Sequence, residues 1–186
     1  MKGVVFTEFL ELVENNFGLD IADRIIDQAE LSTGGAYTSV GTYDHSELVQ
    51  LVVGLSAETN TPPATLVRAF GEYLFGRFAI GYPQFFTGIT STFDFLESIE
   101  DVIHVEVRKL YPDAELPTFA YQRTADQLVM TYRSKRAFAD LAEGLIHACT
   151  QHFGEPIDIE RENLDAADGT AARFTLTAKQ PATVNV

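Results

Sequence analysis

The chain has 186 residues, 46% of them hydrophobic and 22% charged, enough to bury one sizeable core and far from the composition of disordered or membrane-embedded chains. Its 27 acidic residues outnumber 13 basic ones, and the formal net charge of −14 repels nucleic-acid phosphates and anionic lipid headgroups. The opening run Met1-Lys2-Gly3-Val4-Val5-Phe6 passes straight to Glu8 and Glu11 without a signal-peptide core, and no later apolar run approaches membrane-spanning length. A cytoplasmic protein with neither nucleic acid nor membrane as direct partner is therefore expected.

Apolar residues at Phe6, Phe9, Leu10, Val13 and Phe17 recur at helical spacing and stop at Gly18, and a second short helix is expected from Asp20. After the loop Ser32-Thr33-Gly34-Gly35, Asp44 with Glu47 three residues on forms a capping box for a helix carrying Leu48, Leu51, Val52 and Leu55. Thr61-Pro62 opens the next helix, whose Leu66, Phe70, Leu74 and Phe78 succeed one another at four-residue steps until Gly81-Tyr82-Pro83. Between Phe93 and Leu110 the stripe Leu96, Ile99, Ile103, Val107 and Leu110 predicts another helix, with His104 at the margin of its apolar face.

Beyond Pro112 and Pro117 the period changes. Thr118 to Arg123 and Leu128 to Tyr132 read as a strand pair turning at Thr124-Ala125-Asp126. Phe138 to Phe153 returns to helix, stopped by Gly154. Pro156 to Glu160 and Ala172 to Thr177 read as two further strands around Asp168-Gly169, with a frayed tail after Pro181. The expected class is α+β: a helical first part packed on a mixed second part, with a ligand at their interface.

Cys149 is the only cysteine, which excludes an intrachain disulfide and a thiolate zinc or iron–sulfur cluster from one chain. His45, His104, His147 and His152 show no paired ligand spacing, so single-histidine ligation is the metal chemistry left to consider. Haem needs one axial imidazole, and His104 on an amphipathic helix suits that role. Its two propionates need hydrogen-bond donors and a cation. In Tyr132-Arg133-Ser134-Lys135-Arg136 two hydroxyls and a guanidinium stand at i, i+2 and i+4, which an extended backbone points to one face.

Tyr132-x-Ser134-x-Arg136 resembles the haem-clamp motif of the H-NOX (haem nitric oxide/oxygen binding) family, related to the haem sensor domain of soluble guanylate cyclase. It comes after His104-Val105-Glu106-Val107-Arg108-Lys109-Leu110-Tyr111-Pro112-Asp113-Ala114-Glu115-Leu116-Pro117, which is similar to that family's ligand-helix region, and the likeness runs from Met1-Lys2-Gly3 to the last strand. The resemblance implies a single domain over residues 1–186, with a helical distal subdomain over about 1–60 and a proximal α+β subdomain with an antiparallel sheet over about 61–186. Haem b, ferrous protoporphyrin IX, would lie between them. It further implies sensing, not catalysis.

By the same resemblance, His104 matches the proximal iron ligand, Pro117 the proline that bends the porphyrin, and Val5 an apolar contact on the ring. The distal positions fall on Phe9, Leu74, Phe78, Leu141 and Leu145, none of which carries a hydrogen-bond donor. Oxygen on ferrous haem gains from a distal donor, and oxygen-binding relatives supply a tyrosine where this chain has Leu141. The implied ligands are nitric oxide and carbon monoxide. The implied signal is release of His104 and relaxation of the porphyrin, read by a separate histidine kinase or an enzyme of cyclic-di-GMP metabolism. With Cys149 alone, the cysteine-based zinc site of some relatives is not expected. Two other classes stay open: a haem peroxidase, which would need a distal base and cation, and a cofactor-free interaction domain.

Overall fold

The computed structural model describes residues 1–165 and 169–179. Asp168 of the last expected turn, and the tail after Pro181, lie outside these residues. Helices α1 (Gly3–Phe17), α2 (Leu19–Gln28), α3 (His45–Thr59) and α4 (Pro63–Gly81) come first, and a 3-10 turn at Pro83–Phe86 succeeds the break at Tyr82. Next come α5 (Thr92–Ser98), a π-helical turn (Ile99–Ile103) and α6 (His104–Leu110). The described residues close with strands β1 (Thr118–Arg123) and β2 (Gln127–Arg133), helix α7 (Ala139–Phe153), and strands β3 (Ile157–Asn163) and β4 (Ala171–Ala178). The class is α+β, as the change of period predicts.

The four strands form one antiparallel sheet in the order β1-β2-β4-β3, with Phe119 opposite Tyr132 and Tyr132 opposite Ala172. Alternation along β2 and β4 turns Leu128, Met130, Tyr132, Ala172, Phe174 and Leu176 inward. There they pack with Phe75, Phe95, Leu96, Ile146 and Cys149. A second core, built on Phe6, Phe9, Val13, Ile25, Leu51, Leu55 and Phe70, joins α1 to α4. Helix α4 serves both: Leu66, Phe70 and Leu74 face the helical core while Phe75 faces the sheet core.

Several local expectations are revised. In α1, Leu12 is buried and Phe17 is 40% exposed, because the helix ends against open solvent at Gly18 (φ 88°). Asp44 caps α3 through the Ser46 N–H at 2.9 Å, but Glu47 does not close the box. Its carboxylate turns inward instead, accepting from Ser32, Thr33 and Tyr37 hydroxyls at 2.5, 2.6 and 2.6 Å. The stripe from Leu96 to Leu110 is also interrupted. The His104 N–H reaches back to Ile99 O, five residues, so the π-helical turn inserts a residue and shifts the phase of α6. His104 becomes the buried residue of α6, and Leu110 is left 69% exposed.

Candidate haem site

His104 opens α6 and is 8% exposed. Its ring lies 6.1 Å from Phe119, and its Nδ1 is 3.3 Å from Glu100 Oε1. That approach does not have hydrogen-bond geometry, so Nδ1 is buried with no hydrogen-bond partner. Burial pushes the imidazole below its usual pKa against the opposing pull of Glu100, which favours the neutral ring that a metal ion requires. His45 and His147 sit beside Asp44 and Glu72, and His152 is surrounded by Phe75, Phe86 and Phe153. Among the described residues no three His, Cys, Asp or Glu side chains converge on a possible metal position.

Ser134 and Arg136 line a groove of about 240 Å3 with Arg108, Ala114, Glu115, Leu116 and Lys135. The extended alternation expected for Tyr132, Ser134 and Arg136 ends sooner than the spacing suggests. Strand β2 stops at Arg133, the Ser134 N–H donates to Thr170 O at 2.8 Å, and the chain then bends. Ser134 Oγ accepts from the Arg136 N–H at 3.1 Å, and the Tyr132 hydroxyl donates to Arg136 O at 3.4 Å, so the bend keeps the three residues together. Burial raises the Tyr132 pKa, which keeps its hydroxyl protonated as a donor. The Arg136 guanidinium donates to both Glu115 O and Glu115 Oε2, at 3.1 and 2.7 Å. A carboxylate thus already lies on this fork. Pro117, half-buried, is two residues further along the same segment.

The apolar positions come together elsewhere. Phe9 and Leu74 are buried in the helical core, and Val5, Phe78, Leu141 and Leu145 pack against it. Leu145 touches the sheet core as well. Phe9 meets Phe70 edge-on at 5.2 Å. Helices α4 and α7 carry four of the six residues and cross at Gly71 and Gly144, where the backbones are too close for a side chain.

The family model described as haem-NO-binding matches residues 2–161. The chain belongs to that family. It is 43% identical to the unliganded Fe(II) H-NOX protein of K. algicida, with a TM-score of 0.92 and 98% of each chain covered. It is 42% identical to the Shewanella woodyi H-NOX, solved bound to IWP-051 in the Fe(II)CO state, with a TM-score of 0.84 over 100% of this chain and 98% of that one. The S. oneidensis H-NOX in the Fe(II)NO state is 26% identical, with a TM-score of 0.88 over 97% of this chain and 100% of that one. H-NOX proteins are haem-binding gas sensors, and this chain has their α+β fold.

Three residues beside the expected set were not foreseen. Glu100 was hidden because an acid on a short helix reads as solvated surface, although its place four residues before His104 puts both on one helix face. Glu115 and Arg108 line one groove with Ser134 and Arg136 because the chain turns at Pro112 between them, which no periodicity reports.

Proposed function

We propose that this H-NOX chain is a non-enzymatic sensor that binds nitric oxide, and carbon monoxide, at ferrous haem b held by His104. Haem, when bound, supplies the iron at which these gases bind. His104 offers the only buried imidazole among the described residues whose nitrogen lacks a hydrogen bond, and Ser134 and Arg136 in the groove, with the Tyr132 hydroxyl beside them, would supply donors for two carboxylates. Pro117 and Val5 would bear on the ring from the clamp segment and from α1.

The observation that carries the ligand preference is the gathering of Phe9, Leu74, Phe78, Leu141 and Leu145 in one apolar cluster, five side chains without a donor. Such a lining holds off water and gives oxygen no hydrogen bond, whereas nitric oxide needs none. It also lacks the base and cation that peroxide cleavage would require. His104 release would free α6 at the π-helical turn, with residues about 1–60 as the distal and about 61–186 as the proximal subdomain moving against each other. The shift signals to a separate partner that prefers one packing, a histidine kinase or a cyclic-di-GMP enzyme in a bacterial cytoplasm. Among the described residues no helix is long and apolar enough to cross a membrane.

The test is the visible spectrum of the reduced protein. Five-coordinate ferrous haem that becomes five-coordinate with nitric oxide, and is unchanged in aerated buffer, is the expected result. A folded chain expressed with ample haem that shows no Soret band would favour the cofactor-free interaction domain.

A further inference from the structure

Glu100 occupies the π-helical turn that leads into His104, and three separate groups converge on its carboxylate. Oε1 accepts from the Phe119 N–H at 2.8 Å, which fixes the side chain against the start of β1, two residues after Pro117. The same oxygen lies 3.3 Å from His104 Nδ1, and Oε2 is 4.0 Å from Arg108 Nη2 one turn further on. His104 Nδ1 is meanwhile buried without a hydrogen-bond partner. A buried ring nitrogen left unpaired is unfavourable, and the acceptor beside it is a carboxylate already anchored by the backbone of another element.

We infer that Glu100 is the acceptor for the His104 Nδ1–H and sets the strength of the bond His104 makes to iron. The inference rests on the haem reading above. A carboxylate drawing on Nδ1–H makes the opposite nitrogen a stronger electron donor and fixes the ring orientation, as second acceptors do for metal-bound histidines generally. Arg108, on the other carboxylate oxygen, tempers that charge. Because Glu100 is tied through Phe119 to the strand after Pro117, the ring orientation of His104 is referred to the sheet and not to α6 alone. Glu100 is a positioning residue, acting on iron only through His104.

Resonance Raman of the ferrous protein reads the iron–histidine stretching band directly. Glu100→Gln keeps the size of the side chain and an acceptor for Phe119 N–H but removes the charge. The band should move to lower frequency, and nitric oxide should release His104 faster by about tenfold, the lower end of what losing such an acceptor costs a metal-ligating histidine. Arg108→Gln, at an exposed position, should move the band the opposite way. An unmoved band in haem-bound Glu100→Gln overturns the inference, and if that variant does not fold, an unmoved band in Arg108→Gln does so. A wild-type chain that takes up no haem fails the haem reading instead, so the two failures are told apart.

Discussion

Gly71 on α4 and Gly144 on α7 face each other so closely that a Cβ on Gly144 would lie 3.0 Å from Gly71 Cα and run into Arg68 O, and a Cβ on Gly71 would run into Leu141 O. The two helices therefore pack backbone to backbone, and that contact sets the separation of Leu74 and Phe78 on one helix from Leu141 and Leu145 on the other. A side chain at either glycine would meet the other helix's carbonyl, so the close approach depends on both glycines. Arg161 braces the same face, bonding Asp140 and Glu143 of α7 at 2.6 and 2.9 Å, while Arg68 of α4 reaches Glu143 at 3.1 Å.

Gly144→Ala should accordingly force the helices apart. Overpacking of this kind destabilises by about 1–3 kcal/mol, and here the obstructing atom is backbone, so the upper end is expected. Thermal melting of the purified chain would check it. Gly76→Ala on α4, where a Cβ meets nothing within 4 Å, should leave the midpoint unchanged or raise it slightly.

Glu47 makes stability depend on pH. Burial pushes its carboxyl up, and the Ser32, Thr33 and Tyr37 hydroxyls together outweigh burial, so its pKa lies below the usual carboxylate range. A depressed folded-state pKa stabilises the fold above the unfolded value of about 4.3 and loses that contribution as pH falls through the folded value. Urea denaturation from pH 7 to pH 3 should show the wild type weakening below about pH 4.5. Glu47→Gln should be less stable at pH 7 by roughly 1.5–3 kcal/mol and show less of this loss.

Much of this architecture is legible in the chain because burial and period agree. Phe6, Phe9 and Val13, or Leu128 and Met130, announce their element and its inner face together. Where the sequence misleads, a local rule loses to a tertiary one. Glu47 belongs to a capping box by spacing, but three hydroxyls from a loop 10 to 15 residues away offer a buried carboxylate more than one backbone N–H can. The stripe through Ile103 and Leu110 assumes a constant 3.6-residue period, and one π-helical turn invalidates it after Ile99. The extended geometry expected for Tyr132, Ser134 and Arg136 ends at Arg133, although the three residues stay close together. Their proximity comes from the bend, which the sequence does not display.

Arg136→Ala should separate cofactor binding from folding. The guanidinium's bonds to Glu115 are made to a half-exposed partner, so the fold should lose less than about 1 kcal/mol. Losing a charge-assisted donor to a haem carboxylate removes about 1.5–3 kcal/mol of binding, roughly tenfold to a hundredfold in affinity. Haem loss to a scavenger protein should therefore quicken by that factor while the melting point of the haem-free chain barely moves.

Leu141→Tyr tests the ligand preference by restoring what the apolar lining lacks. Leu141 is half-buried on α7, one turn before Leu145 and beside the glycine crossing, so a phenol there has a fixed backbone from which to reach inward. If the apolar lining disfavours oxygen by lacking a donor, the wild type should show no oxygen binding in aerated buffer and the variant should show it, with carbon monoxide affinity little changed because that ligand gains less from a hydrogen bond. Leu141→Phe adds the ring without the hydroxyl and should behave as the wild type. Oxygen binding by both variants would attribute exclusion to the size of the pocket, and binding by neither, with haem retained, would mean that the position does not face the gas ligand.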